Sequence, residues 1–429
     1  MMRKAPIVLA IPAVFGVAHA ESLDETIATA YRSNPNLEAA RYTVRAAQQT
    51  RVQARAAFMP VLTLDGGYGT STFDLRRQGQ PTTRSYLQPT TYSFDATQAI
   101  YTGGRRAARL EIARAAVESA REDLRVAEQD VALDAVAAHV NVIRDQEIVR
   151  LRRADAQQLE RQTYAVQRRL DAGVVTRTDV SQAQARLAVA QAGVSQAEAQ
   201  LEGARAIYTE VVGREPGELV APAALPEAPQ TLREAVDLAL ESNPFIRSAR
   251  QQERAARAQI EVDRASLRPQ ISFTGRYESN DETSTPELEE RGVSAVARVR
   301  IPLFEGGLNR SRMRQARFNA LRAEAETEAL RRQVVSEVVG AWNQLAAARR
   351  VLDSARVQVE ANQAALAGVE REQALGLRTT IEVLNATSEV LASQITQTQA
   401  QRDVTFALHR LLAATGRLDG ASLGYASAS

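Results

Sequence analysis

Two stretches of the chain carry the same pattern, and this duplication limits the possible folds more than any single motif does. Residues 22–69 and 231–278 match at 16 of 48 positions when they are aligned at an offset of 209. The matches include Asn34-Pro35 with Asn243-Pro244. A repeat of this length indicates two copies of one structural unit, because a long duplicated segment usually folds in the same way twice.

A second pair of blocks extends the duplication toward the C-terminus at an offset of 203. It sets residues 101–104 against 304–307, and 173–180 against 376–383. Together the two pairs cover most of the chain. We therefore divide it into a first structural repeat at residues 21–220 and a second at 221–429, the second ending in a short C-terminal tail.

The first twenty residues have the pattern of a secretory signal peptide, which we assign to residues 1–20. Arg3 and Lys4 precede an apolar stretch, and Ala18-His19-Ala20 forms a cleavage site. Removal of this segment leaves 51 Arg against 51 Asp and Glu, hence no net charge. A nucleic-acid-binding protein typically carries a basic excess, so we expect no nucleic-acid partner.

Long segments without Gly or Pro predict helices of unusual length. Residues 105–171 contain neither residue type and are rich in helix formers, and at ~1.5 Å per residue they would extend roughly 100 Å. Residues 308–375 have the same character apart from Gly340 and Gly368. A shorter helix is expected to open each copy, at residues 23–58 and 232–267.

Each long helix is predicted to turn back at a matched element. Gly173 and Gly376 fit the left-handed position that follows a helix end. The motif Thr-x-x-Asp/Glu follows each glycine and resembles a capping box that starts the next helix. The returning helices would run over residues 179–212 and 382–414.

Between the opening helix and the long helix, each copy changes from helical period to strand period. Apolar and polar residues alternate at 62–68, 92–98, 271–277 and 293–300, with Val296 as an exception. With its flanking residues, each run reaches the ~9 to 11 residues that cross a bilayer as a tilted strand. The polar links at 76–89 and 280–291 are expected to be loops.

Four such strands cannot close a barrel alone. The smallest transmembrane barrels have about eight strands, and open strand edges are not tolerated in lipid. The sequence therefore predicts a mainly α fold with membrane β-strands, in which several subunits share one β-barrel. The strands exit into the long helices at two glycine pairs, Gly103-Gly104 and Gly306-Gly307.

The duplicated order of these motifs resembles the TolC family of outer-membrane efflux proteins. It comprises Ser-Asn-Pro near each repeat start, Gly-Gly after each second strand and Gly-x-x-Thr-x-x-Asp/Glu-Val at each helical turn, and it covers about residues 22–416. The resemblance implies a homotrimer in the outer membrane, with a long α-helical barrel extending into the periplasm. It also implies a periplasmic adaptor and an inner-membrane pump, ABC-type or proton-driven, as partners.

The resemblance further implies a constriction at the periplasmic tip. Carried over to this sequence, Glu382 would supply an acidic ring, and Arg378 would tie the second-copy tip to Thr178 and Asp179 of the first. Asn385 stands where a second acid is often found, and Gln373 stands where a tethering Tyr can occur. We therefore expect one acidic ring and a weaker latch.

Simpler interpretations stand beside these roles. Asp179 and Glu382 each lie where a capping box needs an acceptor, and Arg378 could be a solvated side chain whose exposed ion pairs contribute only ~0 to 1 kcal/mol. His139 and His409 lack metal-ligand spacing, which favours structural roles. No convincing catalytic constellation can be assembled, so we expect no enzyme and no cofactor or metal.

Two classes of function remain at this point. The first is an outer-membrane duct that passes small toxic compounds or a secreted protein from an inner-membrane pump to the exterior. The alternative is a periplasmic coiled-coil scaffold or adaptor without a pore, which would explain the helices but not the four strands. The cargo and the choice between drug efflux and type I protein secretion are left open by the sequence.

Overall fold

The computed structural model describes residues 21–76, 78–79, 81–222, 225–283 and 287–418. The predicted signal peptide at residues 1–20 and the last part of the predicted C-terminal tail lie outside these residues. The described helices are α1 Leu23–Ser33, α2 Pro35–Ala56, α3 Arg105–Asp171, α4 Arg177–Val212, α5 Leu232–Ser242, α6 Pro244–Arg264, α7 Leu308–Ala374 and α8 Thr380–Ala414. The described strands are β1 Val61–Tyr68, β2 Ser71–Leu75, β3 Thr83–Leu87, β4 Thr90–Tyr101, β5 Gln270–Asp281 and β6 Glu289–Arg300.

The chain forms two compact units, and each unit contains segments of both sequence repeats. The first unit takes its described residues from Met1–Leu37, Ala127–Glu241 and Val335–Ser429, and the second from Glu38–Val126 and Ser242–Val334. A sequence repeat is thus not a compact unit of this fold. The division into repeats at residue 220 stays a prediction about the duplication.

The opening helix of each copy is interrupted, which corrects the prediction of one continuous helix over residues 23–58 and one over 232–267. The break falls at Asn34-Pro35 in the first copy and at Asn243-Pro244 in the second. A residue before proline is pushed out of the helical region, and Asn34 has φ −73° and ψ 120°. Its side chain caps the next helix by accepting from the Asn36 backbone N–H at 2.9 Å.

The two long helices are continuous, as the absence of helix breakers predicted. α3 and α7 each contain 67 residues, which corresponds to about 100 Å at the helical rise. Gly340 and Gly368 lie within α7 and do not end it. Across the part of the chain that the structure describes, every helix is too short or too polar to span a membrane.

In the first unit, α3 and α4 pack through small and branched side chains. The buried cluster between them includes Ala138, Val142, Ala197, Leu201 and Ala204, and Tyr208 in the same cluster is fully buried. Alanine at these positions lets two helix backbones approach closely. This packing holds the helical hairpin that carries the first turn.

A buried polar cluster lies beside Tyr208 and explains the position of His139. His139 accepts a hydrogen bond from the Thr26 hydroxyl at Nδ1 (2.8 Å) and donates from Nε2 to the Val220 carbonyl at 3.0 Å. Burial lowers the pKa of His139, so the ring is held neutral. The Glu21 carboxylate accepts from the Tyr208 hydroxyl at 2.6 Å. His139 is thus part of a hydrogen-bonded structural network.

In the second unit, four strands form one antiparallel sheet in the order β1-β4-β5-β6. Strands β4, β5 and β6 have 12 residues each, and β1 has 8. Asp95 lies opposite Arg276 in the β4–β5 ladder, and the two side chains form an ion pair at 2.6 Å. The sheet leaves two unpaired edges, β1 and β6.

The prediction of a loop at residues 76–89 is wrong in one respect, because these residues include a strand. β3 at Thr83–Leu87 pairs with β2 in a separate two-stranded sheet. Arg84 and Asp74 stand opposite each other and form an ion pair at 2.7 Å. An opposite-charge cross-strand pair favours this hairpin, although its sequence is too polar to show the usual alternation.

Candidate functional site

The two helical turns predicted from the sequence are present, and glycine shapes both. Gly173 has φ +73° and Gly376 has φ +80°, the left-handed conformation that L-residues rarely adopt. In the second turn the Leu377 N–H donates to the Glu372 carbonyl at 2.9 Å, which satisfies a carbonyl at the end of α7. The turns end α3 and α7 and aim the next helix back along the first.

The first-copy turn is followed by a full capping box. The Asp179 carboxylate accepts from the Thr176 backbone N–H and from its hydroxyl, each at 2.8 Å, and the Thr176 hydroxyl accepts from the Asp179 backbone N–H at 3.3 Å. These hydrogen bonds, the backbone one foremost, lower the pKa of Asp179 below its ordinary value. Thr176 is therefore the N-cap of α4, and Asp179 completes the capping box three residues later.

The second-copy turn repeats this arrangement with a longer acid. The Glu382 carboxylate accepts from the Thr379 backbone N–H at 2.8 Å and from the Thr379 hydroxyl at 2.9 Å. The backbone hydrogen bond from Thr379, with a further hydrogen bond from Arg378, lowers the pKa of Glu382 to about 2. Glu382 is thus ionised at any physiological pH.

Arg378 bridges two carboxylates of its own turn. Its Nε donates to Glu372 and its Nη1 donates to Glu382, each at 2.7 Å. These two hydrogen bonds raise the pKa of Arg378, whose side chain is about half exposed. Arg378 does not contact Thr178 or Asp179 in the described chain, which were its expected partners. Glu372, one of its two partners, lies on the last turn of α7.

Contact between the two copies near the turns runs through other residues. The Arg186 guanidinium on α4 donates to Asn385 on α8 at 2.9 Å. Asn385 stands where the family resemblance often has a second acid, and its amide oxygen accepts here from a residue of the first copy. Beside these turns, Leu384 of α8 packs in a buried cluster with Leu159 and Ala190.

Gln373 contacts the start of the helix that follows the turn. Its side-chain N–H donates to the Thr380 hydroxyl at 3.4 Å, a long and weak hydrogen bond. Thr178 lies exposed in the first turn of α4. The structure therefore brings Arg378 and Glu382 together, places Asn385 beside Arg186, and leaves Thr178 apart from both groups.

The strand-exit turns also adopt left-handed backbone, but their surroundings differ. Gly103 has φ +66°, and a Cβ there would lie 2.7 Å from the Ala265 carbonyl oxygen. The Gly103 carbonyl accepts from the Arg268 guanidinium at 2.8 Å. Gly104 has φ +95°. Glycine at position 103 is thus required by both backbone conformation and space.

The second strand-exit turn has the same conformation without the neighbours. Gly306 and Gly307 have φ +60° and +82°, and a Cβ at either would meet no atom of the described chain within 4 Å. The preceding Phe304 is 88% exposed, whereas the equivalent Tyr101 is 43% exposed. The two copies therefore share a turn but not its packing.

Two residues of the turn region were missed by sequence reasoning. Glu372 pairs with Arg378 from six positions earlier, a spacing that belongs to no regular helix pattern and depends on the path of the turn. Arg186 is one of many arginines on α4 and α3, and nothing in its local pattern marks it. Only the way in which α4 packs beside α8 in the folded chain could have identified Arg186.

Comparison with known proteins agrees with this architecture. The family model described as outer membrane efflux protein matches residues 26–214 and 235–417. The outer membrane efflux protein BepC of Brucella suis biovar 1 (strain 1330) is 32% identical over 95% of this chain and 88% of its own length. The chain belongs to the outer membrane efflux protein family. The resemblance to the TolC family is thereby confirmed.

Further relatives agree in sequence and in fold. The alkaline protease secretion protein AprF of Pseudomonas aeruginosa is 26% identical over 93% of this chain and 85% of its own length. The crystal structure of the outer membrane protein VceC from Vibrio cholerae superposes with a TM-score of 0.79 at 19% identity, covering 92% of this chain and 96% of VceC. The predicted fold class, a long helical barrel with a membrane sheet domain, is confirmed.

Family membership gives the chain its place in the cell. It is an outer-membrane channel of a tripartite export system, with a long helical extension in the periplasm. Such systems contain an adaptor and an inner-membrane pump, so this channel works with partners of both kinds. The family consists of channel proteins rather than enzymes. The alternative of a periplasmic scaffold without a pore is set aside.

Proposed function

We propose that three copies of this chain close one twelve-stranded barrel and form a single export duct. The observation that carries this proposal is the sheet order β1-β4-β5-β6, which leaves β1 and β6 unpaired at its two edges. Unpaired edges are not tolerated in lipid, and four strands are too few to close a barrel. Three sheets of four strands give an even-numbered barrel of ordinary size.

The helical turns are the proposed constriction of this duct at its periplasmic end. Support comes from the charges of the second turn, where Arg378 lies between Glu372 and Glu382. Two carboxylates and one guanidinium leave each turn with one net negative charge, and three such turns around a narrow opening would attract cations. Arg378 holds its own turn closed through these two acids, and a tie from Arg378 to Thr178 and Asp179 of a first-copy turn stays a proposal.

The cargo we propose is a class of small toxic compounds. The support is the relationship to BepC, an efflux protein by name, at 32% identity over nearly the whole chain. Similarity to AprF, which is named for alkaline protease secretion, is lower at 26% and favours protein export as the second candidate. Both cargoes would use the same duct.

Two measurements test these proposals. The mass of the purified protein in detergent, corrected for bound detergent, should equal three chains, and a monomer would contradict the shared barrel. A strain lacking the gene should become sensitive to dyes and detergents while its secreted proteins stay unchanged. Loss of a secreted protein with unchanged sensitivity would instead select the protein-export function.

A further inference from the structure

The free edge of β6 carries two arginines that lack partners within the described chain. Arg298 and Arg300 lie on the same face of the sheet as the Asp95–Arg276 ion pair, because the ladder sets Arg298 opposite Ser272 and Arg276 opposite Asp95. Neither arginine takes part in an ion pair among the described residues, although both are exposed. An acidic group on a neighbouring strand would be the electrostatic complement of these two arginines.

The other free edge carries one acid on the same face. Asp65 of β1 stands opposite Ser93 of β4, two residues from Asp95, so its side chain belongs to the face of the Asp95–Arg276 pair. Asp65 also forms no ion pair within the described chain. The two open edges of one sheet therefore have opposite charge on one face.

The internal repeat indicates how these edges would meet. β6 is the second-copy equivalent of β4 at the offset of 203, and β1 is the first-copy equivalent of β5 at the offset of 209. The β4–β5 ladder inside the chain is thus a template for a β6–β1 ladder between chains. In that ladder Thr97 stands opposite Thr274, and the equivalent positions are Arg300 on β6 and Asp65 on β1. In the same way, the pair Asp95–Arg276 corresponds to Arg298 opposite Gly67.

We propose that Arg300 of one subunit pairs with Asp65 of the next, in the register that β4 and β5 hold within the chain. This inference rests on the proposed trimer. It adds the strand register at the three β6–β1 junctions between subunits, which we call seams. Within the chain the acid is on β4 and the arginine on β5, whereas across the seam the arginine is on β6 and the acid on β1. Arg298 lies diagonal to the same acid and reinforces the attraction.

The strand-exit turns supply an independent reason for the same seam. Gly103 fits against the Ala265 carbonyl, and its second-copy equivalent Gly306 faces open space. Ala56, at the end of α2, is the first-copy equivalent of Ala265 at the offset of 209. The open turn at Gly306 would therefore pack against the end of α2 in the next subunit. Phe304, exposed in the single chain, would be covered there.

The charges at the two edges limit the registers that the seam can adopt. A slip of two residues keeps the same face. In one direction it places Arg300 opposite Gly67 and Arg298 opposite Gly69, and the ion pair is lost. In the other direction it places Arg300 opposite Thr63 and exchanges the pair for Arg298 opposite Asp65. A slip of one residue moves every side chain to the opposite face. The charges therefore exclude one of the two same-face slips, and the register of the β4–β5 ladder distinguishes the proposed seam from the other.

Cysteine pairs can measure this register cleanly, because the sequence contains no cysteine. The register sets Val299 opposite Gly66 of the next subunit, so V299C with G66C should form disulfides between subunits on mild oxidation, ending at a covalent trimer. The matched control V299C with L64C is displaced by two residues, beyond the Cα separation that a disulfide spans, and should cross-link poorly. Faster cross-linking of the displaced pair would overturn the proposed register.

Charge reversal tests the ion pair itself. Both Arg300→Asp and Asp65→Arg should lower the temperature at which the trimer dissociates in detergent, and the double variant should recover most of the loss. A double variant no more stable than either single variant would overturn the pairing. A parent protein that is monomeric in detergent would instead contradict the proposed trimer, so the two failures can be told apart.

Discussion

The two helical turns have the same backbone and the same cap, yet only one carries an arginine between two acids. Val175 of the first turn occupies the place of Arg378 in the second, at the repeat offset of 203. Arg169 likewise stands where the second turn has Glu372. The two copies thus share the residues that determine the backbone of the turn and differ in the residues that determine its charge. The proposed gating role is therefore assigned to the second turn.

A parallel difference separates the strand-exit turns. Gly103 is packed against Ala265 within the chain, whereas Gly306 has the same conformation in open space. The same backbone conformation therefore occurs at a packed turn in the first copy and at a turn that is open in the single chain in the second. Turns with equal backbones should respond differently to equal substitutions.

The largest effect is expected where backbone and packing both require glycine. Gly103→Ala should reduce the free energy of unfolding by about 3 kcal/mol, because the left-handed conformation costs ~1 to 2 kcal/mol and the added Cβ meets backbone. Gly173→Ala, at an open turn, should cost only about 1 kcal/mol. Urea unfolding of the protein in detergent measures both. Equal losses would show that packing against Ala265 contributes nothing.

The caps test whether the two helical turns are equally stable. Thr176→Ala and Thr379→Ala each remove a hydroxyl that donates to the carboxylate of its capping box, and each should cost about 1 kcal/mol of local stability. Hydrogen exchange of the first-turn amides of α4 and α8 should speed up by roughly five-fold in the corresponding variant. A response at only one turn would mean that the shared capping motif does not have a shared role.

Arg378 tests the difference between the turns directly. Arg378→Ser removes both ion pairs of the second turn, and the proposed constriction should loosen, which raises single-channel conductance in planar bilayers. Arg177→Ser is the matched control, because Arg177 begins α4 beside the first turn and forms no ion pair in the described chain. The conductance of this control should equal that of the parent. An unchanged conductance in Arg378→Ser would exclude a latch at this residue.

The sequence predicted the long helices and the turns because their causes are local. A run without Gly or Pro fixes α3, and a glycine followed by Thr-x-x-Asp fixes the turn at residue 173. The break at Asn34-Pro35 was equally local, and the prediction missed it by assigning the whole opening segment to one helix. Proline at the first position of a helix should have indicated a new start there.

The partners of Arg378 could not be predicted because they depend on the path of the chain through the turn. Glu372 comes within 2.7 Å only because Gly376 reverses the backbone between them. The Arg186–Asn385 contact likewise depends on how α4 faces α8, a tertiary property without a local signature. Contacts between distant segments therefore mark the limit of what the sequence alone indicated at this site.

The smallest effect concerns acid. Because the pKa of Glu382 in the folded turn is about 2, below its ordinary value of 4.5, the stabilisation from its ionised form is complete above about pH 4.5. This stabilisation is lost as pH falls toward 2, since the proton then competes with Arg378 and Thr379. Single-channel conductance of the parent should therefore rise between pH 4.5 and the lowest pH that the bilayer tolerates.

Two variants assign this acid response to one turn. Glu382→Gln cannot ionise, so its conductance should already be raised at neutral pH and should change little in acid. Asp179→Asn removes the equivalent carboxylate of the first turn, where no arginine bridges two acids, and should keep the acid response of the parent. If Asp179→Asn abolished the response and Glu382→Gln retained it, the first turn would be the gate, because the group that titrates must lie in the turn that opens.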